Sequence, residues 1–318
     1  MQQNVESMDG SDSEDDSSDH HINLIIRRAR LDDVDDIVRI YDSSIEFLDK
    51  ESKEWIESVV KRRSRRIRIY VGIQDNKVVG FMIVYKKKDK AYIDSLAVDP
   101  MYRGRGIGQQ LLKHVEEILA SEGVEKIYLS VKNHNNKALG IYIKNGYKIS
   151  NIVLILEATS KDIDVEDVDI ANTTIKIESV RRSAFPKARL LDTSIWSNFT
   201  WDADEYIYRA CREEVTAIII YRGGKLLGVA RVFTEQNKIF VERMALSFYR
   251  PTESLKTVVN TIKTKLSLQP NTVITIPVDS SKSSLLRTLI SMGFKVVDSE
   301  YVLHKDIVNH QVKRKQIA

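Results

Sequence analysis

A glycine-rich stretch at residues 101–108 (Met-Tyr-Arg-Gly-Arg-Gly-Ile-Gly) is the part of the sequence best suited to chemistry. It follows an apolar run at residues 92–98 and precedes residues 109–119, where apolar side chains recur at helical spacing. This order predicts a strand, a tight turn and a helix. Glycines let a backbone approach a ligand closely, and the first N–H groups of a helix attract anions. The stretch therefore predicts a site for a phosphate or pyrophosphate.

The spacing of the glycines excludes two common phosphate-binding motifs. A dinucleotide fingerprint needs G-x-G-x-x-G, but here the third glycine, Gly108, comes one position too early. A Walker loop needs Lys and then Ser or Thr, whereas Gln109 follows Gly108. The pattern that remains is R-x-x-G-x-G, formed by Arg103, Gly106 and Gly108. It resembles the coenzyme A loop of the GCN5-related N-acetyltransferase (GNAT) family.

A second motif lies downstream, after an apolar run at residues 127–131. Many GNAT enzymes carry N-x-x-A-x-x-x-Y-x-x-x-G-[FY] there, and the sequence supplies every position of it: Asn135, Ala138, Tyr142, Gly146 and Tyr147. Two separate motifs at the correct spacing, with the expected elements between them, make the resemblance specific. It covers about residues 24–156.

The resemblance implies an acetyl-CoA-dependent N-acetyltransferase that works by direct transfer in a ternary complex, without a metal ion. The acceptor would be the amine of a protein N-terminus or of a lysine. The alternatives are a small amine or polyamine, or a non-catalytic acetyl-CoA-sensing module. The family pattern places the cofactor against Leu96, Ala97, Val98, Arg103, Gly104, Arg105, Gly106, Ile107, Gly108 and Asn135. Asn135 also suits the N-cap of a helix.

Two residues are candidates for proton transfer. Tyr142 stands where the family usually has its acid, although an aromatic wall is the alternative role; a phenol of ordinary pKa ~10 is protonated at neutral pH. The base is less evident, because Ser130 occupies the position of a glutamate in the related ribosomal-protein N-terminal acetyltransferases. Asp94, on the strand before the loop, is the substitute candidate, and a purely structural aspartate is equally compatible with the pattern.

The elements that would position these residues follow a recognisable order. The pattern predicts a short strand from Leu24, two helices, two strands around the hairpin signal Asp75-Asn76, and a strand at 91–98. After the loop come a helix ending near Gly123, a strand, a second helix and a final strand at 148–156. The fold class is therefore α/β (α+β), with a mixed, mostly antiparallel sheet flanked by helices.

The sequence then repeats this pattern. Gly223-Gly224 and the strand at 240–246 correspond to Asp75-Asn76 and the strand at 92–98, each 148 positions later. The second copy lacks the glycines of the loop, and Leu289 stands in the place of Tyr142. We therefore expect two tandem GNAT-like domains, of which the second is degenerate and non-catalytic. The predicted boundaries are a disordered acidic tail at 1–21, a catalytic domain at 22–160, a linker at 161–174 and a degenerate domain at 175–318.

The composition, 42% hydrophobic and 30% charged over 318 residues, is that of an ordinary soluble protein. A single cysteine fits a reducing compartment, and neither a signal peptide nor a membrane-spanning run is evident, so we expect a cytoplasmic protein. Residues 1–21 carry seven acidic and no basic residues, so the net charge of +4 becomes +11 without them. The oligomeric state cannot be inferred from the sequence.

The most basic stretch is residues 61–68, with six Lys or Arg in eight positions. A solvated helix end or strand edge explains it most simply. The alternative is a docking site for nucleic acid or an acidic protein, because clustered cations raise the local potential. No aromatic residues are interleaved, which disfavours a site for single-stranded nucleic acid.

Overall fold

The computed structural model describes residues 24–48, 51–165, 172–181, 191–192, 214–266 and 268–307. We call residues 24–165 the first half and residues 172–307 the second half. The predicted acidic tail and residues 166–171 of the predicted linker lie outside the described residues. None of the described helices is long and apolar enough to cross a membrane.

The first half contains the elements that the sequence pattern predicts, in the predicted order. They are β1 (Ile25–Arg28), α1 (Val34–Asp42), α2 (Lys53–Arg62), β2 (Ile67–Gln74), β3 (Lys77–Lys87), β4 (Lys90–Val98), α3 (Ile107–Ser121), β5 (Lys126–Lys132), α4 (Asn136–Lys144) and β6 (Lys148–Thr159). The turn between β2 and β3 is the predicted two-residue hairpin. Asp75 and Asn76 have φ of 49° and 59°, values that suit a type I′ turn.

The second half repeats most of these elements. They are β7 (Thr173–Arg181), β8 (Leu191–Asp192), β9 (Glu214–Arg222), β10 (Lys225–Glu235), β11 (Lys238–Leu246), α5 (Pro251–Lys265), β12 (Val273–Asp279), α6 (Ser283–Ser291) and β13 (Lys295–Asp306). Gly223 and Gly224 form the equivalent hairpin turn, both with positive φ. β7 begins inside the predicted linker, because Thr173 and Thr174 pair with the end of β9.

The strands of both halves form one sheet, in the order β1-β2-β3-β4-β5-β13-β6-β12-β11-β10-β9-β7, with β8 paired to β11. Among the described strands, only β4–β5 and β11–β12 are parallel pairs. At the centre, β13 of the second half lies between β5 and β6, and β6 of the first half lies between β13 and β12. Each half therefore supplies one strand to the other. The halves are distinct in sequence but continuous in the sheet.

The helices cover the sheet and divide the core. In the first half, α1 and α2 bury Ile37, Tyr41 and Trp55 against one face of the sheet, while α3 and α4 bury Leu111 and Tyr142 against the other face. Trp55 is thus a core residue. A third core cluster lies beneath α5 and α6 in the second half. The candidate site lies where β4 and β5 separate between these layers.

Candidate active site

The site begins with a divergence of two parallel strands. β4 and β5 pair from Lys90–Lys126 to Ile93–Leu129 and then separate, while β4 continues to pair with β3 as far as Val98. Among the described residues, no strand covers the edge of residues 94–98 that β5 leaves. A cavity of about 460 Å³ lies at this gap and is lined by residues of β4, the glycine-rich loop, β5 and α4. The open edge offers backbone donors and acceptors to an extended ligand.

The glycine-rich loop connects this open edge to α3. It occupies residues 99–106, and Asp99 begins it by accepting a hydrogen bond from the N–H of Met101 at 3.0 Å. Gly104 and Gly106 have φ of 83° and 76°, a region that disfavours residues with a Cβ. A Cβ placed on either would meet no atom within 4 Å. The loop thus leaves room beside the N-terminus of α3, whose first N–H groups have no acceptor within the helix.

Arg103 and Arg105, both predicted to contact the cofactor, direct their side chains towards protein groups. The Arg103 guanidinium donates to the carbonyl of Val98 at 2.9 Å and to Ser44 Oγ at 3.1 Å. It thereby connects the loop to the turn after α1. Arg105 lies 5.1 Å from the ring centre of Tyr102 and donates to the carbonyl of Met101. Both arginines shape the loop, and Arg103 also lines the cavity.

Tyr142 enters the same cavity from α4. Asn135 caps this helix, since its Oδ1 accepts the N–H of Ala138 at 3.1 Å, which confirms the N-cap role for the residue. Tyr142 is 7% exposed, and its ring meets that of Tyr147 edge-on with centres 5.6 Å apart. Burial raises the pKa of Tyr142 above its ordinary value. The phenol is therefore protonated throughout the neutral range.

Asp94 lines the cavity from β4 and is held by its neighbours. Its Oδ2 accepts a hydrogen bond from Ser95 Oγ at 3.0 Å. Ser95 in turn lies 2.6 Å from the phenol of Tyr41, in the core beneath α1. Because the Ser95 proton is used on Asp94, Tyr41 is the donor to Ser95. Ser130 of β5 also lines the cavity and lies 3.5 Å from the phenol of Tyr92.

The second half contributes to this site through β13, which the sequence did not indicate. Ser299 accepts the backbone N–H of Asn133 at 2.9 Å through its carbonyl, and its hydroxyl accepts from the Asn133 side chain at 3.0 Å. Asn133 lies two residues before Asn135, which caps α4, and α4 carries Tyr142. Beyond the other end of α4, the ammonium of Lys305 lies 5.6 Å from the ring centre of Tyr147. β13 therefore contacts residues that flank both ends of the helix.

The equivalent region of the second half is closed in three ways. The connection from β11 to α5 has four residues, 247–250, where the first half has eight between β4 and α3. The Glu253 carboxylate occupies the first turn of α5, where it forms ion pairs with Arg222 and Arg250. Finally, β8 pairs with Ala245 and Leu246, the counterparts of Ala97 and Val98. A carboxylate and a strand of the chain itself fill the places that are open in the first half.

No group of three or more His, Cys, Asp or Glu side chains placed to hold a metal ion occurs in the described parts of the chain. The basic stretch at residues 61–68 is divided by the structure. Arg68 faces inward on β2 and pairs with Glu122 at 2.6 Å, and Lys61 pairs with Glu57 at 2.9 Å. Four other cations of the stretch are exposed: Arg62, Arg63, Arg65 and Arg66.

Comparison with known proteins agrees with this geometry. Residues 33–147 match the model of the acetyltransferase (GNAT) family, so this part of the chain is a GNAT acetyltransferase domain. The fold of the whole chain resembles a tandem GNAT protein from the clavulanic acid biosynthesis pathway, with a TM-score of 0.65 at 13% identity over 90% of this chain and 99% of that one. A putative acetyltransferase from Pyrococcus horikoshii gives a TM-score of 0.59 at 17% identity, over 89% of each chain. The predicted family and tandem fold are confirmed.

Two relatives carry names that specify an activity. Peptidyl-lysine N-acetyltransferase YjaB of Escherichia coli (strain K12) is 28% identical over 132 residues, which are 40% of this chain and 84% of YjaB. The [Ribosomal protein bS18]-alanine N-acetyltransferase of the same strain is 33% identical over 79 residues, which are 25% of this chain and 53% of that protein. Both matches cover less than half of the present chain.

Proposed function

We propose that the first half is an acetyl-CoA-dependent N-acetyltransferase that transfers the acetyl group directly to a primary amine of a protein. One observation carries the proposal. The open edge of β4, the N-terminus of α3 and the buried phenol of Tyr142 meet in one cavity. The second half has closed the corresponding region, so we propose that each chain holds one cofactor.

The residues around the cavity suit coenzyme A. The space beside Gly104 and Gly106, next to the first N–H groups of α3, fits a pyrophosphate. The edge of β4 at residues 94–98, which no described strand covers, can exchange hydrogen bonds with the amides of a pantetheine arm, as an added strand would. When bound, acetyl-CoA would supply a thioester carbonyl for the acceptor amine to attack.

Asp94 and Tyr142 have complementary roles in this proposal. Asp94 accepts the proton of the acceptor ammonium through water, and its hydrogen bond from Ser95 fixes the orientation of the carboxylate. The freed amine would then attack the thioester carbon; as the amide forms and the bond to sulfur breaks, the nitrogen would release its second proton to solvent water. Tyr142 donates its proton to the departing sulfur and regains one from solvent. Its raised pKa ensures that the phenol begins each cycle protonated.

A protein amine is the acceptor that the relatives favour. YjaB, matched over 84% of its own length, is a peptidyl-lysine N-acetyltransferase, and the second relative acts on the alanine of a ribosomal protein. An α-amine of pKa ~8 needs less help from a base than a lysine of pKa ~10.4. Asp94, oriented by the hydroxyl of Ser95, would be a sufficient base for the α-amine.

The function is tested by incubating the full chain with isotopically labelled acetyl-CoA and a protein extract, and by locating acetylated amines by mass spectrometry. We expect transfer to protein N-termini or lysines. Tyr142→Phe should lower kcat by about 10²-fold or more, as loss of a general acid does, and leave acetyl-CoA binding intact. Tyr70→Phe is the matched control, because Tyr70 is also buried but does not line the cavity. Equal turnover by the two variants would refute the role of Tyr142, and failure of calorimetry to detect acetyl-CoA binding would refute the function.

A further inference from the structure

A second cleft, of about 260 Å³, is separate from the candidate active site and shares no lining residue with it. It lies between β1, the edge strand, and the C-terminal end of α2. Four arginines line it: Arg27, Arg28, Arg30 and Arg63. The floor is apolar, formed by Val59, Val60 and Ile69. So many cations around one small cleft require an explanation.

Only one of the four arginines is neutralised by a carboxylate in the described part of the chain. Arg27 forms a bidentate pair with Asp33 at 2.7 and 2.9 Å. Arg28 donates to the carbonyl of Ser64 at 2.9 Å, which is an uncharged partner. Arg28, Arg30 and Arg63 form no ion pair with any described carboxylate. We call these three residues and the space between them the arginine cleft.

The positive charges of the arginine cleft repel one another. Partial burial lowers the pKa of Arg28, and the nearby charges of Arg68 and Arg63 act in the same direction. The guanidinium is still charged at neutral pH, since an arginine does not lose its proton in proteins. A bound anion would relieve this repulsion, and planar guanidinium groups bind carboxylates and phosphates with two hydrogen bonds each.

The chain carries such an anion a short distance away. Residues 1–21 contain seven carboxylates and no Lys or Arg, and Arg28 follows this segment by only seven positions. Each residue spans up to ~3.5 Å, so carboxylates ten residues before Arg28 are within ~35 Å along an extended chain. A tether of this length gives the acidic segment an effective concentration in the millimolar range at the cleft. A free polyanion of similar affinity would need a higher concentration to displace it.

We propose that the acidic amino-terminal segment, residues 1–21, binds in the arginine cleft and shields it from other polyanions. The cleft is then an anion-binding surface whose resting occupant belongs to the same chain. A nucleic acid or an acidic protein reaches the arginines only by displacing the segment. The proposal is independent of the acetyltransferase function, because the cleft shares no residue with the cavity of the candidate active site.

Carbodiimide cross-linking of the full-length chain tests the contact directly. Arg63→Lys places a reactive amine in the cleft, and the reagent joins it to any carboxylate in direct contact. We expect peptides that join position 63 to acidic residues of the segment at low ionic strength, and their loss near 1 M salt, where the screening length falls to ~3 Å. Lys87 and Lys88, exposed on the β3–β4 turn, serve as internal controls. Equal cross-linking of position 63 and these lysines would overturn the proposal.

Binding of a labelled, short oligodeoxythymidylate, followed by fluorescence anisotropy, tests the shielding. The variant keeps the full length of the chain and replaces each acid of the segment by its amide. The substituted residues are Glu6, Asp9, Asp12, Glu14, Asp15, Asp16 and Asp19. We expect the variant to bind the probe at least tenfold more tightly than the unaltered chain.

Substitutions in the cleft distinguish shielding from a general effect of net charge. Adding Arg28→Gln, Arg30→Gln and Arg63→Gln to the amide variant should abolish the gain, whereas Lys87→Gln with Lys88→Gln and Lys90→Gln should not. If both sets reduce binding equally, the gain comes from net charge and the proposal fails. If the unaltered chain already binds as tightly as the amide variant, the cleft is open to external polyanions and the segment is not its occupant.

Discussion

Lys305 of β13 forms an ion pair with Glu116 of α3 at 2.6 Å, and thereby joins the last described strand to the helix that begins at the glycine-rich loop. The pair is largely shielded from solvent, with 25% of the Lys305 side chain and 12% of the Glu116 side chain exposed. The ammonium also lies 5.6 Å from the ring centre of Tyr147, which contacts Tyr142. The second half is therefore linked to the candidate active site by charge as well as by strand pairing.

Lys305→Met should lower the free energy of unfolding by about 2 kcal/mol, because it leaves the Glu116 carboxylate with less compensation in a poorly solvated place. Urea denaturation measures the change. Adding Glu116→Gln should recover part of the loss, since the unpaired charge is then removed, and the double-mutant cycle isolates the pair. Additive effects of the two substitutions would show that the ion pair contributes nothing.

Gly106→Ala should weaken acetyl-CoA binding about tenfold or more, because the added methyl group occupies the space proposed for the pyrophosphate. Gly123→Ala is a matched control at the other end of α3. Both glycines have similar φ, 76° and 79°, and neither has an atom within 4 Å of a built Cβ. Both variants should lose ~1–2 kcal/mol of stability through strain, whereas only Gly106→Ala should lose affinity in calorimetry. Equal losses of acetyl-CoA affinity in the two variants would contradict the proposed pyrophosphate site beside Gly106.

Glu122→Gln should reduce stability at neutral pH but have less effect in acid. The hydrogen bond from Arg68 holds the pKa of Glu122 below its ordinary value, so the carboxylate favours the folded state at neutral pH. This contribution is lost as the pH falls through the folded-state pKa, where the unaltered chain must take up a proton. Urea midpoints of the two chains should therefore converge below about pH 4, the usual range for Glu. Glu117 lies on the exposed side of α3, the helix that Glu122 directly follows. Glu117→Gln should show no such convergence.

Acetyl-CoA should bind with a stoichiometry of one per chain. In the second half the helix N-terminus already holds the Glu253 carboxylate, and β8 covers the edge of β11. Isothermal titration of the unaltered chain gives the number of sites directly. Two sites per chain, or binding that survives Gly106→Glu, would show that the second half is open.

Local chemistry was sufficient to predict the elements of the first half. The Asp75-Asn76 turn and the cap at Asn135 depend on neighbouring residues alone, and the structure contains both. The exchange of β6 and β13 was not predictable in this way. The residue pattern of a central strand does not identify its partner, because β5 is compatible in pattern with either β6 or β13. The repeat revealed two similar halves, but not that each completes the other.

The side chains of the site were predicted less well than its backbone. Arg103 belongs to the motif, yet its guanidinium binds Val98 and Ser44, contacts that depend on the turn after α1. Arg68 belongs to the basic stretch, but β2 turns it towards Glu122, the residue that directly follows helix α3. Spacing identifies which backbone can form a cradle, whereas the direction of a long side chain depends on residues far away in sequence.

The pairing of Ser130 with Val302 has a consequence for biosynthesis. Translation produces β5 long before β13, since more than half of the chain separates them. Until β13 leaves the ribosome, β5 lacks its partner of the finished sheet, and any edge left unpaired next to the helix that carries Tyr142 can pair with other chains. The nascent first half therefore cannot adopt the strand order of the full-length sheet ahead of the second half. Products that terminate before β13 should be prone to aggregation, however complete their acetyltransferase motifs are.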